Sequence, residues 1–434
     1  MKGLHMKKMM LTLILVLSIG SITNLYSQFQ TLEGNQGMFY GGLGMATIDD
    51  ESYLAINLSP ELSLGKLGMG LNINLLYNTD NGAIRSVDWD ESYDWARLIR
   101  YIRYGRKNDN FYTRVGALDA ARIGHGFIMN YYTNQASFDE RKLGLALDYD
   151  FGIGGFETVT SNLGRSEIFG GRLFVRPLRP LLSIPIIKDI AIGATLVSDV
   201  DPDKRRDTGD ELTEYGFDVE VPLLKMPMFD SYAYYDYAKI NDYGSGSAVG
   251  AQADLTVIAG IAEASARLER RWLGDKFLPS YFDAFYEIER YSPQEDESIF
   301  RKDEALALIT DEVHGVFGEL VGHVFNTLHL VGNFQRLDDI KNSGILHLAA
   351  EIPDAVPKIA AHATYDRRGI EKASDLIKLD DDSVARVGIG YKIKPYLLLY
   401  MDYIYSFKFD EEANKYKAQE RFEPKVSFIY NFGM

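Results

Sequence analysis

Strict alternation of apolar and polar residues is the sequence feature that most constrains the fold of this chain. Between Tyr53 and Leu64, one set of alternate positions is almost wholly apolar, and the other is mainly small or polar. After Gly65 and Lys66 the alternation resumes and continues to Tyr77. Because successive side chains of a strand point to opposite faces, the pattern predicts two antiparallel strands of about ten residues, each with one apolar and one polar face.

The same alternation recurs along the chain and defines its last segment. The apolar or aromatic positions there are Phe422, Pro424, Val426, Phe428, Tyr430 and Phe432. The chain also contains 28 Tyr, 23 Phe and 39 Gly, against only 13 Pro. A soluble sandwich alternates too, but its strands are usually shorter and its hidden face carries fewer tyrosines. We therefore predict an all-β fold, a transmembrane antiparallel β-barrel with lipid outside and a polar lumen inside.

The N-terminus predicts export from the cytoplasm. Basic residues precede an apolar stretch from Met9 to about Ile19, and small and polar residues follow as far as Ser27. This order is typical of a secretory signal peptide, and the apolar stretch is shorter than the ~20 residues of a membrane-spanning helix. We expect residues 1–27 to be a cleaved signal peptide and residues 28–434 to form a single outer-membrane β-barrel domain.

The spacing of the connections predicts the number of strands. Long acidic or polar stretches alternate with short connections such as Gly65-Lys66, as expected when long loops face outward and tight turns face the periplasm. If residues 272–313 form one long outer excursion, the count is about 20 strands, whereas a further pair within this stretch gives about 22. We predict about 20 strands, within a range of roughly 16–22, and long outer loops.

The most unusual local feature is a basic stretch in an acidic chain. Residues 95–122 contain seven Lys or Arg and two acids, whereas the whole chain has a formal charge of −16. One hypothesis is a basic patch on the lumen wall that attracts anionic solutes, formed by Arg97, Arg100, Arg103, Arg114 and Arg122. The alternative is that these arginines pair with acids or extend to lipid phosphates. A spacing of three puts alternate arginines on opposite faces of a regular strand, so they cannot all line a lumen unless the strands are irregular.

The segment 119–141 follows the basic stretch and contains His125 between Gly124 and Gly126. We consider two structures for it: a constriction that folds into the lumen at His125, or an ordinary outer loop. Catalysis by this histidine would need a nucleophile and an orienting group, and the sequence offers no such pairing. We therefore predict no catalytic site and no enzymatic activity.

Metals, cofactors and nucleic acids are not expected to bind. An acidic stretch that begins at Asp199 matches the spacing of a calcium loop, but Lys204 stands where such a loop needs glycine. We expect a solvated acidic tip there, no metal site and no cofactor. The chain has no cysteine, which excludes disulfides and thiolate metal ligands. Its negative charge argues against nucleic acid as a partner.

The chain resembles Gram-negative outer-membrane β-barrel proteins, especially uncharacterised ones of the Bacteroidetes–Chlorobi type, without a match to a subfamily. The resemblance rests on the signal peptide, the acidic loops and the terminal strand, in which Phe428, Tyr430 and Phe432 are similar to a sorting signal. The chain departs from the common pattern because Phe432 is not the final residue. The resemblance implies an outer-membrane location, with outer-membrane lipid and the barrel-assembly machinery as partners.

The expected function is that of a porin-like passive channel for small polar solutes, because a barrel of about 20 strands is wide enough for an aqueous channel or a plugged lumen. The alternative is a structural or secretion-associated barrel whose outer loops or wall bind partner proteins.

Overall fold

The computed structural model describes most of the chain that follows the predicted signal peptide. The described residues are 34–48, 51–86, 89, 95, 98–107, 109–135, 142–165, 167–202, 210–258, 262–290, 302–324, 328–352, 356, 358–380, 382–410 and 415–433. The predicted signal peptide, 1–27, and the predicted start of the mature chain at Gln28 lie outside these ranges.

The described residues contain 21 β-segments. They are β1 (Gly34–Ile48), β2 (Glu51–Gly65), β3 (Leu67–Leu71), β4 (Ile73–Asn78), β5 (Ile99–Tyr104), β6 (Phe111–Gly116), β7 (Gly144–Asp150), β8 (Gly154–Thr160), β9 (Ile168–Val175), β10 (Ala191–Asp199), β11 (Leu212–Met226), β12 (Phe229–Ile240), β13 (Ser245–Ile258), β14 (Ala262–Leu273), β15 (Val313–Val324), β16 (Leu328–Leu337), β17 (Gly344–Ile352), β18 (Ile359–Ile370), β19 (Ser383–Lys394), β20 (Leu397–Asp410) and β21 (Lys415–Gly433). Both β3 and β4 pair with β2 in one continuous register, so they are halves of a single strand interrupted at Asn72.

The strands form a closed antiparallel ring. Each strand pairs with its neighbours in chain order, and β1 also pairs with β21, where Gln36 lies opposite Gly433. Closure through the first and last strands removes the free edges that an open sheet would expose. The predicted fold is confirmed as a closed antiparallel β-barrel of 20 strands.

Connections at the two ends of the barrel differ in length. At one end, which we call the turn end, Gly65 and Lys66 alone join β2 to β3, and Gly65 has a φ of 59°, as a tight hairpin needs. The opposite, long-loop end carries the excursion 274–312. Because β14 pairs directly with β15 across this excursion, it adds no strand pair to the ring. Connection 176–190 at the turn end is longer than the alternation of short and long connections predicts.

The two faces of the wall have opposite character, as the alternation predicts. In β2 the side chain of Leu54 is 40% exposed on the outside, whereas Ala55 is buried on the inside. In β21, Phe428 and Tyr430 are exposed; Phe432 lies in this strand, but its side chain lies outside what the structure describes. Large apolar side chains are exposed on strands throughout the ring, which is unusual for a soluble monomer.

Two segments from the long-loop end enter the barrel, and we call residues 117–135 and 274–290 the inserted segments. The second contains a short helix, Tyr286–Glu289, and another short helix, Lys302–Leu306, follows in the same excursion. Across the described ranges, none of the helices has the length and apolar character needed to cross a membrane.

Candidate functional site

The inserted segments form a hydrophobic core inside one side of the barrel. Met129, Tyr132 and Phe282 are fully buried. They belong to a cluster that includes inward-facing residues from β7 to β13, among them Ala146, Val159, Val197, Ala238 and Ala248. Because these wall side chains are small, the inserted segments can approach the sheet closely.

Backbone hydrogen bonds join the two inserted segments. The N–H of Asn130 donates to the carbonyl of Phe282 at 3.1 Å, and the N–H of Phe282 donates to the carbonyl of Ile128 at 3.2 Å. The N–H of Ser280 donates to the carbonyl of Phe127 at 2.6 Å. These bonds satisfy backbone groups that would be costly to bury without partners. The two segments therefore form one unit, the inserted unit, which fills this side of the lumen.

His125 anchors the inserted unit to the wall. Its Nδ1 lies 2.9 Å from Oδ1 of Asp236, its Nε2 lies 3.4 Å from Oε2 of Glu220, and its ring stacks on Tyr234 at 3.9 Å between centroids. Burial lowers the pKa of His125, but the carboxylates of Asp236 and Glu220 outweigh burial and raise the pKa to about 10. At neutral pH the ring is therefore charged and donates to both carboxylates.

A buried carboxylate of the wall holds the inserted unit at a second point. Glu319 in β15 accepts hydrogen bonds from Arg122, from the hydroxyl of Tyr131 at 2.6 Å and from Arg267 at 3.2 Å. Arg267 also donates to the backbone carbonyl of His125. Bonds between ionised groups are about twice as strong as neutral ones, so this cluster fixes the inserted unit firmly to β14 and β15.

A third cluster, at the long-loop end, binds the helical part of the inserted unit. Lys142 and Arg290 both pair with Glu167 and Glu287, and Arg290 also pairs with Asp199 at 2.9 Å. Burial raises the pKa of Glu287, but the charges of Lys142 and Arg290 outweigh burial and lower the pKa to about 2. The expectation of a solvated acidic tip is wrong for Asp199, which is fully buried as the partner of Arg290.

Beside the inserted unit lies a polar cavity of about 510 Å³. Wall residues from β1 to β5 and from β17 to β21 line it, and Tyr131, Thr133 and Gln135 of the inserted unit close its other side. Its charged lining comprises six acids and five Lys or Arg, namely Glu61, Asp119, Glu351, Asp366, Asp402, Glu423, Arg100, Lys142, Arg386, Arg421 and Lys425. The lumen is therefore divided into a filled side and an open, polar side.

The predicted basic patch is not a continuous surface. Arg97 lies outside the described residues. Arg114 pairs with Asp119 at 2.8 Å, and Arg122 pairs with Glu319 inside the inserted unit. These ion pairs favour the alternative interpretation, in which the arginines neutralise carboxylates. Attraction of anions by this stretch stays a prediction.

Arg100 and Arg103 both face inward despite their spacing of three. The register between β3 and β5 shifts by one residue at Arg100, which is a β-bulge. As a result Arg100 and the next residue, Tyr101, both contact Glu61 on the inner face. Arg103 is buried and donates to the carbonyl of Gly105 at 3.2 Å. Of the four described arginines of the set, only Arg100 lines the open cavity.

The segment around His125 does enter the lumen, but His125 itself lies on the filled side. It is 8% exposed and does not line the 510 Å³ cavity. Tyr131, Thr133 and Gln135, later in the same segment, border the cavity instead. His125 therefore anchors the segment that narrows the lumen, and its role as a constriction stays a prediction.

Comparison with known proteins does not identify a family for this chain. No family model and no curated protein matches it. Similar solved structures include OccK11 (OpdR) of Pseudomonas aeruginosa, with 10% identity over 94% of this chain and 99% of that chain and a TM-score of 0.30. The outer membrane protein OpdK of the same organism has 12% identity over 92% and 100%, with a TM-score of 0.32. The siderophore receptor PirA of Acinetobacter baumannii has 10% identity over 93% and 81%, with a TM-score of 0.35.

Similarity at this level supports no conclusion about function, and the fold rests on the strand pairing described above. The resemblance to Bacteroidetes–Chlorobi barrels therefore stays a prediction.

The cavity residues of β18 to β21 were not predicted from the sequence. His362, Arg386, Asp402 and Lys425 lie on four successive strands, so they come together only through strand pairing. Their only sequence signal is that each is a polar residue between apolar neighbours of a strand.

Proposed function

We propose that this chain is a porin-like channel of the outer membrane that allows small polar solutes to diffuse passively through its lumen. The observation that carries the proposal is the polar cavity beside the inserted unit. Its volume of about 510 Å³ lies within the range of ~300–1,000 Å³ that is typical of sites for small molecules. A barrel of this strand number would otherwise have a wide lumen, and the inserted unit narrows it.

A membrane location is supported by the outer surface of the barrel. Large apolar side chains are exposed around the ring, for example Leu173 in β9 at 69%, Leu268 in β14 at 71% and Tyr430 in β21 at 66%. Transfer of apolar area from water to hydrocarbon stabilises by about 25 cal/mol per Å². Closure also means that the backbone groups of each strand face a neighbouring strand, so no strand edge is open to lipid.

Most charges that line the cavity are held in ion pairs, which suits weakly selective passage. Lys425 lies 2.5 Å from Asp402, and Arg421 lies 2.7 Å from Glu423. A paired charge keeps the wall hydrated but binds a passing solute weakly. The cavity would therefore sort solutes by size first, at the border formed by the inserted unit.

The proposal is tested by the conductance of refolded protein in a planar bilayer. We expect discrete channels, and we expect Ser59→Trp to lower the unit conductance by roughly twofold, because Ser59 lines the cavity and pore width sets the conductance. Leu58→Trp is the matched control, since Leu58 is the adjacent residue on the outer face of β2. A barrel that refolds but does not conduct would contradict the proposal and would favour a role in binding partner proteins.

A further inference from the structure

Charges along the cavity wall from β18 to β21 are paired, with one exception. Asp402 accepts a hydrogen bond from Lys425 at 2.5 Å, and its other oxygen lies 3.2 Å from Nε2 of His362. In β21, Arg421 and Glu423 form an ion pair at 2.7 Å.

Arg386 in β19 is the exception. It lines the cavity and is exposed. Its strand neighbours in the same rung are Thr364 in β18 and Ile404 in β20, which carry no charge. Asp402 lies opposite Gly388, two residues further along β19. It is close enough to be influenced by the charge of Arg386, but its ion pair is with Lys425. To none of the described residues does the Arg386 guanidinium make a hydrogen bond or an ion pair.

A free guanidinium that faces a confined polar cavity is suited to one class of ligand. Its planar fork of N–H donors matches the two oxygens of a carboxylate or phosphate group. Low-dielectric walls concentrate the potential of such a charge within the cavity. A neutral sugar or a cation would gain nothing comparable from this position.

We propose that Arg386 is the binding point for the oxyanion group, carboxylate or phosphate, of solutes that enter the cavity. This inference rests on the proposed channel function and names the solute class that the channel favours. It also places the anion-binding residue on β19, away from the basic stretch 95–122 that the sequence singles out.

The test compares uptake of three labelled solutes into proteoliposomes. Glucose, glucuronate and glucose 6-phosphate share a sugar ring and differ in having no charge, a carboxylate or a phosphate. We expect Arg386→Gln to lower the uptake of at least one anion relative to glucose by about tenfold, the lower end of what a charged cleft contributes. The two ratios are the uptake of glucuronate and the uptake of glucose 6-phosphate, each divided by the uptake of glucose. The ratio that falls identifies the preferred group. Arg386→Lys should restore part of the ratio, because it keeps the charge without the fork.

Arg270→Gln is the matched control. Arg270 in β14 is partly exposed, pairs with Asp338 at 2.6 Å and lies outside the cavity, so both ratios should remain unchanged. If Arg386→Gln leaves both ratios as in the wild type while glucose still enters, the inference is wrong and the channel function stands.

If no solute enters with the wild type, the proposed function fails. In that case equilibrium binding of labelled glucuronate and glucose 6-phosphate to detergent-solubilised protein still tests Arg386, and equal binding by Arg386→Gln overturns the inference.

Discussion

Individual charged residues decide what the lumen of this barrel offers to a solute. On the filled side, buried groups such as Glu319 and Arg267 hold each other and the inserted unit in place. Removal of one partner from such a pair typically costs about 3–5 kcal/mol, because the other charge is left buried alone. On the open side, Lys425 and Asp402 are likewise paired, and Arg386 is available to a ligand.

The anchor at His125 predicts a pH dependence. The pKa of His125 is raised to about 10, above an ordinary value of about 6.5. Its contribution to stability is therefore fully present below about pH 6.5 and is lost as the pH rises through about 10. We expect His125→Asn to lower the free energy of unfolding of the refolded protein at pH 6 by an amount on the order of a few kcal/mol. This loss should appear as a clearly lower melting temperature at pH 6 and as a much smaller change at pH 10.5.

His314→Asn, at an exposed histidine of the long-loop end, is the control for this experiment and should have little effect at either pH. If the difference in melting temperature between wild type and His125→Asn stays constant from pH 6 to pH 10.5, the charged form of His125 does not stabilise the fold.

Strands show how far the sequence alone can predict this structure. The alternation in β2 and β21 was sufficient to predict which side chains, such as Leu54 and Phe428, lie on the outer face, because strand geometry is local. The bulge at Arg100 was not predictable, because it depends on the pairing of β5 with β3. For the segment around His125 the sequence leaves two structures open, entry into the lumen or an outer loop. It does not decide between them, because apolar residues such as Met129 find their partners on distant strands.

The point where the chain leaves β6 for the lumen gives a prediction at this scale. Gly116 has a φ of 130°, and a Cβ there would lie 2.4 Å from the carbonyl oxygen of Arg100. We expect Gly116→Ala to destabilise the barrel by about 1–3 kcal/mol, because both the backbone strain and the clash must be relieved. The measurement is the temperature at which heated protein no longer migrates as a compact band in electrophoresis. This temperature should be lower for Gly116→Ala than for the wild type.

Gly171→Ala provides the comparison, because its Cβ would meet no atom closer than 3.7 Å, from the carbonyl oxygen of Glu157. This variant should unfold close to the wild-type temperature. Equal stability of the two alanine variants would mean that the turn at Gly116 adapts without cost.

The barrel as a whole is asymmetric. Strands β5 to β9 have only six to eight residues, fewer than the ~9–11 of a typical membrane-spanning strand. The inserted unit packs against the inner face of four of these short strands, β6 to β9. The longer strands β18 to β21, of 12 to 19 residues, line the open cavity. We infer that the inserted unit stabilises the wall of short strands from inside. We also infer that solutes pass along the wall formed by the longer strands, β18 to β21.

The central claim is that one face of each strand contacts lipid and the other contacts water in the lumen. Because the chain has no cysteine, single cysteines along 54–62 of β2 can each carry a spin label in protein reconstituted into vesicles. We predict that labels at even positions, such as Leu54 and Leu58, are reached by oxygen dissolved in the bilayer. Labels at odd positions, such as Asn57 and Ser59, should be reached by a water-soluble nickel reagent. Equal access of both reagents to both sets of positions would contradict the account.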